Sequence, residues 1–261
     1  MQLVRIDETA QRTAVSDGPQ GTTKLYAYFG MAGGFKEGPQ AYLVDMVTPG
    51  ARIDAHYHDV DQFQVIARGH GRLGARPLKP VALHYADAFT PYGPIVASQE
   101  GMAFHTIRNM SGTGYWAMPD NKATSKRDRY HIMMFDIERP LPAAGQSERE
   151  VIWDGNEDRL RVVGLRIGAN AEIKSENSDG GGQYLLVCDG AVTIDGKELP
   201  QESMVRVEPG EDAPVIKTGA AGAQVLVMQF GKMTARLGSG LASRAFPPPE
   251  VYKLPAGTKV A

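Results

Sequence analysis

One cysteine, Cys188, is all the thiol chemistry in this chain of 261 residues. It excludes an intramolecular disulfide and suits a reducing compartment. Charge of one sign is also missing. Lys and Arg number 28 against 30 Asp and Glu, a formal net charge of -2 that favours no nucleic-acid partner. No long apolar run is present: Ala223 to Phe230 is the longest and includes two glutamines, far short of the roughly 18 residues a membrane span needs. The first residues, MQLVRIDETA, show no basic start followed by an apolar stretch, so no secretory leader is expected. The expectation is a soluble, cytoplasmic protein with neither a membrane nor a nucleic acid as partner. Three signatures are absent as well: a glycine-rich dinucleotide turn, a phosphate-cradling P-loop and a nucleophile elbow.

Glycine and proline, by contrast, are abundant: 30 and 17 residues, nearly one in five against the usual one in eight or so. They punctuate short runs rich in β-branched and aromatic residues, such as LYAYFGM, AYLVDMV, QFQVIAR, YLLVCDG and QVLVMQF. Short strands separated at this spacing by turn residues predict an all-β sandwich or barrel. Only 121–129 and 233–243 carry any helical signal. The chain also repeats itself. QFQVIARGHGRLG (62–74) and QYLLVCDGAVTIDG (183–196) each read as Gln, an aromatic, an apolar strand, a glycine seven residues after the Gln, and a second strand. The organisation expected is an N-terminal arm (1–19), a first β-unit (20–118), a connection with one embedded strand, HIMMFDI (119–150), a second β-unit (151–232) and a C-terminal arm (233–261). The two arms could swap across a homodimer.

All six histidines lie between residues 56 and 131, and the second unit has none. His56 and His58 are two apart, which on a strand places both imidazoles on one face. Such a pair is either a set of metal ligands or two packed or solvated rings. His105, on the later strand GMAFHTIRN, is the candidate third ligand. Alternation puts Arg52 and Asp54 on the face of the pair, as a substrate contact or a structural ion pair, and puts Gln62, Gln64 and Ile66 together on theirs. His84, with Tyr85 and Tyr92, could reach the barrel mouth as an acid–base group or substrate donor, or be a half-exposed edge histidine. His70 reads as solvated, Cys188 as packing, and His131 carries no assigned chemistry.

Gly50-x5-His56-x-His58-x3-Gln62-x6-Gly69 resembles the first motif of the cupin superfamily, G-x5-H-x-H-x3-4-E-x6-G, with Gln62 in place of the glutamate. His105-x3-Asn109 resembles the end of the second motif, H-x3-N, but Gly101 precedes His105 by four residues where the family has three. The resemblance implies two small antiparallel jelly-roll barrels, a bicupin. The first would hold one divalent transition metal (Fe, Ni, Zn or Mn) through His56, His58 and His105, with Gln62 either a fourth ligand or an amide hydrogen-bonded beside them. In the second, the paired-histidine positions fall on Lys174 and Glu176, and no metal is expected there. With a neutral Gln62 the metal would bind more weakly and act as a stronger Lewis acid. The resemblance further implies an enzyme acting on a small oxygenated, anionic or enolisable substrate, with dioxygenase chemistry slightly ahead. Arg52, Gln64 and Tyr92 are the candidate substrate contacts and His84 the candidate catalytic residue. The alternatives are a redox-neutral isomerase, lyase or hydrolase, and a non-enzymatic module that binds a small ligand or stores a metal.

Overall fold

The structure is a computed structural model that describes residues 1–30, 38–112, 114–126, 131–134, 139–155, 159–232 and 259–260, with only the backbone given for 131–134 and 259–260. Among these residues the regular structure is β, apart from two short 3-10 turns at Asp7–Gln11 and Lys122–Thr124. The second turn is all the helix found where 121–129 carried a helical signal, and 127–130 and 233–243 lie outside the described residues. No helix among the described residues is long and apolar enough to cross a membrane.

The chain divides into two compact units, one of residues 9–136 with 244–261, the other of 1–8 with 137–243. In the first, the hydrogen-bonded strand order is His131–Met134, Leu83–Ala86, Gln62–Leu73, Ile95–Arg108, Gln40–Met46, Gly21–Phe29, Thr13–Gly18, Lys259–Val260. In the second it is Gln2–Val4, Met204–Val207, Gln183–Ile194, Val215–Gln229, Arg161–Ile167, Ser147–Asp154. The central four strands are antiparallel and follow the same connectivity in both: the third, second, fourth and first strand of each unit lie side by side. Each unit closes on its own apolar core. One gathers Val44, Met46, Ile66, Phe104 and Tyr92, the other Leu165, Leu185, Val205, Ile216 and Val225.

The arms complete sheets of this same chain. Gln2–Val4 pairs with Met204–Arg206 of the second unit, and Lys259–Val260 with Ala14–Val15 of the first. Thr13–Gly18, within the residues expected to form the N-terminal arm, forms a hairpin with Gly21–Phe29 and so belongs to the first unit's sheet.

The repeated glycine has a physical reason. Gly69 and Gly190 both sit at φ near +70° (69° and 72°) where the second and fourth strands cross closely. A Cβ on Gly69 would lie 2.3 Å from the Gly101 carbonyl oxygen, and one on Gly190 would lie 2.2 Å from that of Gly222. Neither the backbone angle nor the space admits a side chain. Gly69→Ala and Gly190→Ala should each cost about 2 kcal/mol or more. Gly196→Ala, at φ 77° with nothing within 4 Å, should cost only about 1 kcal/mol. Denaturant titration of the three variants checks the ranking, and equal losses at all three would contradict it.

Candidate functional site

The site lies inside the first unit, where the short strand His56–Tyr57 pairs with Trp116–Ala117 and bridges to Tyr92. His56 is buried, and His58, half-buried, stands beside it with ring centroids 5.0 Å apart. Both rings are held by a backbone carbonyl. His56 Nδ1–H donates to Asp54 O at 2.6 Å and His58 Nδ1–H to Gly114 O at 2.6 Å. Each imidazole therefore keeps its lone pair on Nε2. The ring of Tyr115 stacks on His56 at 4.3 Å and is 37% exposed, so this end of the barrel is its mouth.

Behind the histidines runs one directed chain of hydrogen bonds. Arg108 Nε–H donates to Gln62 Oε1 at 3.1 Å, and the Gln62 amide N–H donates to the Tyr92 hydroxyl oxygen. Tyr92 O–H donates to His56 Nε2 at 2.9 Å, and His56 passes on to Asp54. A second arm of the guanidinium, Arg108 Nη1–H, donates to Gln40 Oε1 at 2.8 Å. These groups meet because Arg108 lies opposite both Gln62 and Gln40 in the register of the three central strands. Deeper in the barrel, His84 Nδ1 is 2.8 Å from Gln64 Oε1, and the two line a cavity of about 10 Å³ with Ile66, Leu73, Ile95 and Phe104.

Electrostatically the site sets the Arg108 guanidinium behind two imidazoles and a phenol. Burial, reinforced by the Arg108 charge, pushes His56 down to about 4 and His58 well below the ordinary histidine value. Burial likewise raises the Tyr92 phenol, which stays protonated. All three therefore stay uncharged at neutral pH.

His105 is not part of this site, which corrects the expected ligand set. Its neighbour Phe104 faces the interior cavity, and successive side chains on a strand point to opposite faces. His105 instead packs on the other face against Tyr28, ring centroids 5.6 Å apart, fully buried. The reason is the irregular spacing after Gly101: one extra residue reverses the parity of everything that follows. Three residues after Gly101 stands Phe104, a hydrocarbon where the resemblance implied a histidine. Among the described residues no three His, Cys, Asp or Glu side chains converge on a point that could hold a metal. His56 and His58 present the right nitrogens, but Gln62 spends its carbonyl oxygen on Arg108, and that fixed cation opposes a dication. The residues present do not fit the implied metal centre.

The other candidates fall as follows. Arg52 is turned outward, its Nε 2.7 Å from Asp54 Oδ1, both side chains about two-fifths or more exposed, so the structural ion pair is what forms. His84 is buried inside the barrel instead of sitting at an exposed edge, while Tyr85 points away and donates to Asp87 at 3.0 Å. Gln64 and Tyr92 do face the interior. His70 is exposed near Glu100 at 3.9 Å. Arg108, Gln40 and Tyr115 were missed. Arg108 was findable, because it shares strand parity with Phe104 and lies three residues past His105.

Two outcomes follow from this geometry. Neither ring nitrogen of His105 has a hydrogen-bond partner among the described residues, and its burial pushes it down to about 3. An unfolded His105 takes up a proton near pH 6.5 and the folded one does not, so stability falls as pH drops from about 6.5 towards 3. The slope is at most about 1.4 kcal/mol per pH unit for one such histidine. His105→Leu should flatten the acid limb of a stability–pH profile by up to that amount and leave stability at pH 7 unchanged or higher. A large loss at pH 7 would mean His105 holds something the geometry does not show. Gln62→Glu should pair with Arg108 and leave affinity for divalent ions weak, as chelator competition would measure; tight stoichiometric binding in the variant would contradict the misfit.

No protein-family model matches the sequence, and no curated protein matches it. Solved structures do. A Nostoc punctiforme protein provisionally named a dioxygenase superposes with a TM-score of 0.63 at 11% identity, over 87% of this chain and 81% of its own. A Pseudomonas aeruginosa protein provisionally named glyoxylate-induced gives 0.58 at 13%, over 87% of each chain. Vicilin of Corylus avellana (hazelnut) gives 0.51 at 10%, over 85% of this chain and 84% of its own. Identities this low speak for architecture alone. Two antiparallel units of one connectivity, with a paired-histidine strand at the mouth of the first, thus share the fold of these structures.

Proposed function

We propose that the first unit is a binding site for a small oxygenated anion that also carries a hydroxyl, and that it works without a metal. The observation that carries this is the state of His58. Its Nδ1–H is fixed on Gly114 O, and its Nε2, at the half-buried mouth, takes up no hydrogen bond from a described residue. A ligand hydroxyl can donate there. The positive field of Arg108, which helps to keep both imidazoles unprotonated, equally favours a ligand oxygen that carries negative charge. The role assigned in the sequence to a metal's charge thus passes to a guanidinium held by Gln62 and Gln40. A histidine so depressed is a weak base, which supports recognition over proton abstraction.

A second reading, a metal-dependent dioxygenase, has one observation in its favour. Both imidazoles are locked with Nε2 free of the ring proton by a carbonyl on Nδ1, which is how ligating histidines are held. The structurally similar Nostoc protein is provisionally named a dioxygenase. In this reading His56 and His58 would be ligands, with Tyr92 as a third donor.

Calorimetric titration of chelator-treated protein with glycolate and lactate separates the two. The expected result is saturable binding that added Fe, Ni, Zn or Mn does not change and that His58→Phe abolishes. Binding that appears only with one equivalent of a divalent metal would overturn the metal-free reading in favour of the second.

A further inference from the structure

The second unit lacks histidine, yet it keeps a cavity at the corresponding place in its sheet. In the first unit Gln40, Arg108 and Gln62 lie side by side across three strands; in the second the same registers hold Arg161, Gln229 and Gln183. The guanidinium has moved from the central strand to its neighbour. There Glu176 draws it aside, with Arg161 Nη1 3.0 Å from Glu176 Oε2, and Glu176 stands at the position of His58 in the repeat. With no arginine bridging the two glutamines, a cavity of about 190 Å³ opens, lined by Arg161, Glu176, Asn177, Gln183, Val163 and Val227 among others.

The chemistry of that lining is specific. Its charges satisfy one another. Glu176 is clamped by Arg149 at 2.9 Å as well as by Arg161, and Asp179 lies 3.6 Å from Arg159. Nothing there calls for a charged ligand. Two polar atoms of the lining residues have no hydrogen-bond partner among the described residues. Gln183, fully buried, gives its amide hydrogens to Asn177 O at 2.6 Å and Gln229 Oε1 at 3.0 Å, but its own Oε1 accepts from no described residue. Arg161 Nε–H makes no hydrogen bond among the described residues, its carboxylate neighbour Asp154 standing 3.7 Å off. A buried acceptor and a buried donor left unpaired on residues that line one cavity each cost stability unless a partner reaches them. A hydroxyl both gives and accepts, so adjacent hydroxyls on one small carbon frame answer both, while Val163 and Val227 receive its C–H face.

From this geometry we infer that the second unit binds a small neutral polyhydroxy molecule, of the polyol or monosaccharide class, in the cavity over Gln183. This inference does not depend on the reading of the first unit. Saturation-transfer NMR and calorimetry with erythritol, xylitol and glucose test it, with malonate and methylammonium as charged probes. At least one neutral probe should bind saturably. Asn177→Ala, at the exposed rim, and Gln183→Met, which removes the open acceptor at nearly constant shape, should each weaken it about tenfold or more. His58→Phe should leave it unchanged. Failure of every neutral probe would overturn the inference. So would binding insensitive to both variants, which would place the ligand elsewhere, and so would preference for a charged probe that the two variants abolish.

Discussion

The site of the first unit depends on the orientation of one hydrogen-bond chain. Arg108 can only donate and the Asp54 carbonyl can only accept, so the order of donation between them has a single direction. That direction fixes which end of the Gln62 amide faces the guanidinium, where the Tyr92 proton lies and which nitrogen of His56 bears hydrogen. Each link is polarised by the one before it, and the low-dielectric interior strengthens the whole. A carboxylate at position 62 could not pass the chain on, because it has no hydrogen to give to Tyr92. The departure of this sequence from the usual motif is therefore what allows a guanidinium and a tyrosine to be joined inside the barrel.

Much of the architecture was legible from residues alone. Glycine-bounded, β-branched runs gave strands, and the Gln-to-Gly spacing of seven residues gave the repeat, because both glycines answer the same steric demand beside Gly101 and Gly222. The paired histidines were legible because two-residue spacing survives any error of register. The third ligand was not. A single extra residue after Gly101 exchanged the inward places of His105 and Phe104, and a motif read for residue types is blind to that parity. Arg52 failed for a different reason: the strand Arg52–Ile53 ends before Asp54, so alternation could not be carried through to His56. The role of Arg108 is set by the partners opposite it, Gln62 and Gln40, and these follow only from the strand register.

The two units show how a duplicated fold diverges at constant register. Both keep a glutamine on the second strand and a Gln–Arg pair on the two strands beside it, with the arginine's place exchanged. In one unit the cation sits between two amides and completes a network. In the other a glutamate at the former histidine position pulls it away, and space remains. Neighbouring contacts on a sheet, not the identity of any one residue, decide whether the interior is filled or open.

The pairing of Gln2–Val4 with Met204–Arg206 bears on how the chain is made. During vectorial synthesis the strand Gln2–Val4 must wait for about two hundred residues before its partner exists, while the unit begun at residue 9 assembles in between. Closing a loop of that length costs only slowly growing entropy, so the penalty is one of time more than of stability. It also means that the two units are not separable by a single cut. A chain severed between residues 136 and 137 would leave the later unit without its outermost strand and the earlier one without residues 244–261, so the exposed edge of each sheet would be open to pairing with another molecule.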